Sequence, residues 1–103
     1  MHKHPGKFLQ AEMIRLELSA SDVARQLRVP INRVTEIIHG RRGVTADTAL
    51  RLARFFGDDA FIWMERQARF DLQEAETKSG AKIRAIAMLK SPHYGRHAKE
   101  QAR

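Results

Sequence analysis

The feature that most restricts this chain is the segment over residues 20–37, where two short runs of helical periodicity are separated by only a few residues. Val23, Leu27, Val34 and Ile37 recur at helical spacing with polar or charged residues between them, and Val29 adds an apolar residue in the connection. Two helices joined so tightly must cross steeply, and a steep crossing leaves no room for a large side chain where they touch. Ala24 stands at that point. The pattern predicts a helix-turn-helix. Arg28 occupies the turn position where glycine is usual. A non-glycine residue held left-handed there costs on the order of 1–2 kcal/mol, which a folded domain absorbs.

The flanking sequence predicts helices throughout, with no alternating pattern long enough for a strand, so the fold class is all-α with five helices. A first helix is expected over residues 5–16, with Pro5 in its first turn and Leu9, Met13 and Leu16 on one face. Ser19 is a good cap for the second, which ends near Leu27 and carries Asp22 in its first turn. Pro30 starts a third over residues 31–39, closed by Gly40. Thr45 caps a fourth over residues 46–56, with Gly57 as its stop. Asp58 and Asp59 open a fifth that reaches about Thr77 and is expected to break at Ser79 and Gly80. Residues 1–77 thus form one domain, and 78–103 a basic, partly disordered extension. Within it, residues 81–90 fit a short helix or an extended segment, and the polar stretch from Ser91, with Pro92 and Gly95, reads as a mobile tail.

The outward positions of the third helix carry Asn32, Arg33, Thr35 and Glu36. These are types that read base edges: arginine pairs with guanine, asparagine with adenine, and glutamate accepts from cytosine. Arg41 and Arg42, just after Gly40, are placed to grip phosphate, as are Ser19, Arg28 and the helix-end amides near Ala20 and Ala46. A plain helical hairpin in a bundle would need none of this. Charge points the same way: residues 1–57 carry ten Lys/Arg against five Asp/Glu, whereas 58–77 carry two against six and 78–103 seven against one. A basic front half suits a polyanion, and the acidic stretch suits a different, basic partner.

Other chemistries find little support. The chain has no cysteine, which excludes disulfides and thiolate metal sites and makes a reducing cytoplasm the expected compartment. No signal peptide is readable, and the apolar runs at 60–64 and 85–89 are far too short to span a bilayer. His2 with His4, and His93 with His97, are pairs without a third ligand at fixed spacing, so no metal or other cofactor is expected. There is no glycine-rich phosphate loop and no nucleophile–base arrangement, which argues against an enzyme. The fifth helix bears two apolar stripes: Phe61, Met64, Ala68, Leu72 and Ala75, and beside it Ala60, Trp63, Gln67 and Phe70. One stripe seals a domain, and the second, with Trp63, Gln67 and Phe70, is expected at a homodimer interface. The alternative is a single wide core face.

Residues 16–40 resemble the helix-turn-helix of lambda-repressor-like regulators. A closer resemblance, over residues 4–77, is to HigA-type antitoxins. It rests on His4-Pro5-Gly6, on the run GRRGVTADTALRLARFFG over residues 40–57, and on Trp63, Gln67, Phe70, Asp71, Leu72 and Ala75. Pro30 departs from the family pattern, in which a Ser or Thr cap is common at the start of the recognition helix. The resemblance implies a dimer that binds a palindromic operator in its own promoter and neutralises a HigB-type toxin that cuts mRNA on translating ribosomes. The acidic residues 58–77 are where such a basic toxin would be met. A stand-alone repressor of the same fold, without a toxin, is the alternative.

Overall fold

Helix boundaries in this chain follow its capping groups. The computed structural model describes residues 2–90, so the tail expected from Ser91, with His93 and His97, lies outside the described residues. Five helices follow in order: α1 (Pro5–Arg15), α2 (Ala20–Leu27), α3 (Ile31–Ile38), α4 (Ala46–Phe56) and α5 (Ala60–Arg84). The amides that begin a helix lack intrahelical partners, and side chains supply them. His4 Nδ1 accepts from the Gly6 amide at 2.9 Å, and Asp59 from that of Phe61 at 2.9 Å. Ser19 and Asp22 form a reciprocal capping box, and Thr45 accepts from Thr48. α3 is the exception, since Pro30 begins it without a side-chain cap.

The helix-turn-helix is as the pattern predicts. Arg28 is left-handed, φ 59° and ψ 48°, and closes α2 with two bonds: its amide to Arg25 O at 3.2 Å and that of Val29 to Ala24 O at 3.0 Å. Glu17 ends α1 in the same way at φ 56°, with nothing in its side chain to announce it. Leu9 and Met13 of α1, Val23, Ala24 and Leu27 of α2, Val34 and Ile37 of α3, Leu52 of α4 and Trp63 of α5 meet in one core. Burying a side chain of this size contributes about 1.5–3 kcal/mol. Val29 is half-buried at its edge.

α5 corrects the expected boundary. It does not stop at Ser79 and Gly80 but continues to Arg84. One helical glycine costs only about 1 kcal/mol, and Glu76 pairs with Arg84 across the Gly80 surface. Residues 81–84, expected as part of a short helix or an extended segment, are instead the end of α5; residues 85–86 turn out of it and 87–90 have no regular structure.

The start of α1 is packed on the end of α3. A Cβ added at Gly6 would overlap the Ile37 carbonyl oxygen and lie 2.8 Å from its carbon. His4, beside it, sets its ring edge-on to Phe70 of α5 with centroids 4.9 Å apart, and lies against Gly40. Burial holds its pKa below the ordinary histidine value, against the opposing influence of Asp71 and a hydrogen bond with the Arg42 backbone. Lys7 adds to the depression.

Two outcomes follow from these contacts. Gly6→Ala should lower unfolding free energy by about 1–3 kcal/mol or more in urea titrations, since the backbone of α3 must move; a loss below about 0.5 kcal/mol would mean that the close approach is not needed. His4 takes up a proton less readily folded than unfolded, so its contribution is complete above pH about 6.5 and is lost as pH falls through that value toward the folded pKa. Glu12, Asp22 and Asp47 are also depressed, and their contributions go only at more acidic pH, below about 4.5. Between pH 7.5 and 5.5 the wild type should therefore lose stability while His4→Asn, which keeps a capping group, stays flat. Equal slopes for the two proteins would contradict this.

Candidate nucleic-acid interface

α3 buries Val34 and Ile37 and turns its other side outward. Asn32 is exposed, Arg33, Thr35 and Glu36 are half-exposed, and Arg41 and Arg42 follow on the exposed loop behind Gly40. The structure thus brings together on one surface the four side chains expected to read bases and the two arginines expected to hold phosphate. Arg41 has no ion-pair partner among the described residues, whereas Arg42 is joined to Glu36 at 2.7 Å. Thr35 Oγ1 donates to the Asn32 carbonyl at 3.3 Å.

Arg33 is also held. Its NH1 lies 3.2 Å from Asp47 Oδ2, and the same oxygen accepts from Arg51 Nε at 2.9 Å. Arg51 NH1 donates in turn to the Leu27 carbonyl at 2.8 Å. An ionic chain therefore runs from the end of α2 through α4 to the outer face of α3. Asp47 is held below the ordinary aspartate pKa, by the Arg51 hydrogen bond first and by the charges of Arg51 and Arg33. It is a carboxylate at any pH of interest. The α4 end of this chain was readable as an i,i+4 pair, but its partner Arg33 lies fourteen residues away and gave no signal.

The helix-end positions differ from one another. Ser19 is committed to its capping box, and Asp22, depressed chiefly by its bonds to Ser19, brings negative charge to the start of α2. The amide of Ala20 keeps no partner among the described residues, and neither does that of Ala46 at the start of α4. Arg28 is exposed in the turn, with its carbonyl 3.4 Å from Arg51 NH1.

The residues expected at a dimer interface are arranged otherwise than the sequence suggested. Trp63 is wholly buried in the protomer's own core, with Nε1 donating to the Asp58 carboxylate at 3.0 Å. Gln67 is buried too, its Oε1 accepting from the Val44 amide at 2.7 Å and its Nε2 donating to Asp71 at 2.9 Å. Phe70 is half-buried on His4. A side chain already enclosed within one protomer cannot cover a second, so Trp63 and Gln67 are corrected to internal roles. Gln67 holds the loop that carries Arg41 and Arg42, and Gly43 lets it approach: a Cβ there would lie 3.1 Å from its amide carbon. The stripe left in the open is the other one, with Phe61 81% and Leu72 71% exposed.

No protein-family model matches the chain. It is 47% identical over 74 residues to virulence-associated protein I of Dichelobacter nodosus, an alignment covering 71% of this chain and 68% of that protein. Among solved structures, an addiction module antidote protein of the HigA family from Coxiella burnetii superposes with a TM-score of 0.83 and 43% identity, over 86% of this chain and all of the other. The Pseudomonas aeruginosa antitoxin HigA, solved with the higBA promoter, gives 0.83 and 34% over 86% and 99%. The two solved structures are of an antidote protein and an antitoxin, not of enzymes. In overall course the chain follows the two solved structures, and at 43% identity over the whole of the first it belongs to the HigA family of antitoxins.

Proposed function

We propose that the protein is a dimeric antitoxin that binds an operator in its own promoter and represses its own operon in the cytoplasm. The observation that carries this reading is the outward face of α3, where Asn32, Arg33 and Thr35 project from an eight-residue helix with Arg41 and Arg42 beside it. α3 enters the major groove. Asn32, Arg33 and Thr35 read base edges, and Glu36 accepts from a cytosine amino group once Arg42 transfers to phosphate. Arg41, Arg42 and Arg28 hold the backbone with the amides of Ala20 and Ala46 and with the hydroxyl proton of Ser19, whose oxygen alone is used in the capping box. The P. aeruginosa HigA–promoter structure supports the operator as partner.

The second copy packs on the exposed stripe of α5, through Phe61, Ala68, Leu72 and Ala75, beside Met64, which is half-buried on the core. A two-fold arrangement sets the recognition helices about 34 Å apart, one turn of DNA. The partner to be neutralised is a basic HigB-type nuclease, met by exposed carboxylates of the acidic stretch such as Asp59 and Glu74. The net charge of +7 favours a second reading, a repressor without a toxin. Co-expression with the adjacent reading frame separates the two: a stable complex and rescue of growth support the antitoxin, and neither supports the repressor.

Arg33→Ala should cost about 1–3 kcal/mol on the cognate promoter fragment and relax specificity, while Arg41→Ala should weaken all DNA alike and reduce the salt slope by about one. Titrations over a salt series measure both; equal losses on cognate and random duplex for Arg33→Ala would remove it from base reading. For the dimer, Leu72→Arg should convert the sedimenting species to monomer at micromolar concentration. An unchanged sedimentation coefficient would place the interface elsewhere.

A further inference from the structure

We propose that Asp47 determines base specificity without touching a base, by holding the Arg33 guanidinium in the orientation in which it reads guanine. The inference rests on the base-reading role given to Arg33 above. Reading guanine with both its O6 and N7 requires a guanidinium fork fixed in position, and a free arginine side chain samples many rotamers. Asp47 engages Arg33 through NH1 alone, at 3.2 Å, which leaves the edge formed by Nε and NH2 for a pair of acceptors. Asp47 is itself anchored. It sits in the first turn of α4, where an acid is favoured, and shares its Oδ2 with Arg51, whose other end is fixed on the Leu27 carbonyl. The support thus runs through the Asp47 and Arg51 side chains of α4 and ends on the backbone of α2.

The same carboxylate has an opposite effect on DNA that offers no guanine. It adds a negative charge beside the phosphate-binding surface and holds Arg33 away from general backbone contact, so it weakens binding to random sequence. Specificity is gained on both counts. A residue with a merely structural role would weaken cognate and random binding together.

The test is a set of titrations with the full-length protein and its own promoter fragment, in which each guanine is replaced singly by 7-deazaguanine, run beside random duplex over a salt series. The wild type should lose at least about fivefold in affinity at one guanine of each half-site. Asp47→Ala should lose that sensitivity while binding random duplex about threefold more tightly and with a steeper salt slope. Asp47→Asn keeps an acceptor for Arg33 and should retain most of the 7-deazaguanine sensitivity. It also serves if the alanine variant melts too low to assay. Full sensitivity in Asp47→Ala, or parallel losses on promoter and random DNA in both variants, would overturn the role of Asp47 and leave DNA reading by α3 intact. A wild type indifferent to promoter DNA would overturn the reading of the whole surface.

Discussion

α3 is eight residues long, too short to persist alone in water, so its direction is set by what it packs on. Val34 and Ile37 fix one side of it in the core, Ala24 lets α2 cross closely behind, and the start of α1 rests on its last turn at Gly6. With Pro30 at its head it lacks the side-chain cap that begins every other helix. Its placement therefore depends on burial and on close backbone approach. The outer side chains are then free to be polar, because none of them is needed to hold the helix.

A second level of order comes from α5. Its first half closes the core with Trp63 and reaches over to the loop after α3 with Gln67, while Phe70 supports His4 at the head of α1. The loop bearing Arg41 and Arg42 is thereby attached to the helix whose other face is open to a partner. Hydrogen-bond requirements enforce this attachment: a buried amide such as that of Val44 is costly without an acceptor, and the Gln67 carboxamide provides one. The exposed remainder of α5, with Leu72 and its acidic neighbours, contributes nothing to the core.

Much of this was legible in the chain. The order of the five helices and the left-handed endings at Gly40 and Gly57 follow from local rules that the residues themselves display, and the one at Arg28 follows from its place in the turn of the helix-turn-helix. The ending at Glu17 was not, since a glutamate carries no mark of a left-handed backbone. The helical continuation through Gly80 was hidden for a related reason: glycine punctuates chains on average, and here a two-turn ion pair spans it. Periodicity found both stripes of α5 but could not say which one faced inward, because Trp63 and Phe61 differ in neighbours and not in character. Of the ionic chain from Arg51 through Asp47 to Arg33, the first step shows as an i,i+4 spacing, whereas the step to Arg33 depends on closeness in space alone.

The central claim is that α3 and the loop behind it form the surface that meets DNA. Amide chemical-shift mapping of the isotopically labelled protein, titrated with its own promoter duplex at moderate salt, addresses this residue by residue. The account predicts the largest shifts at residues 31–36 and 41–47, with the second half of α5 little affected. Shifts confined to α5, with Asn32 and Arg33 unmoved at saturation, would contradict it.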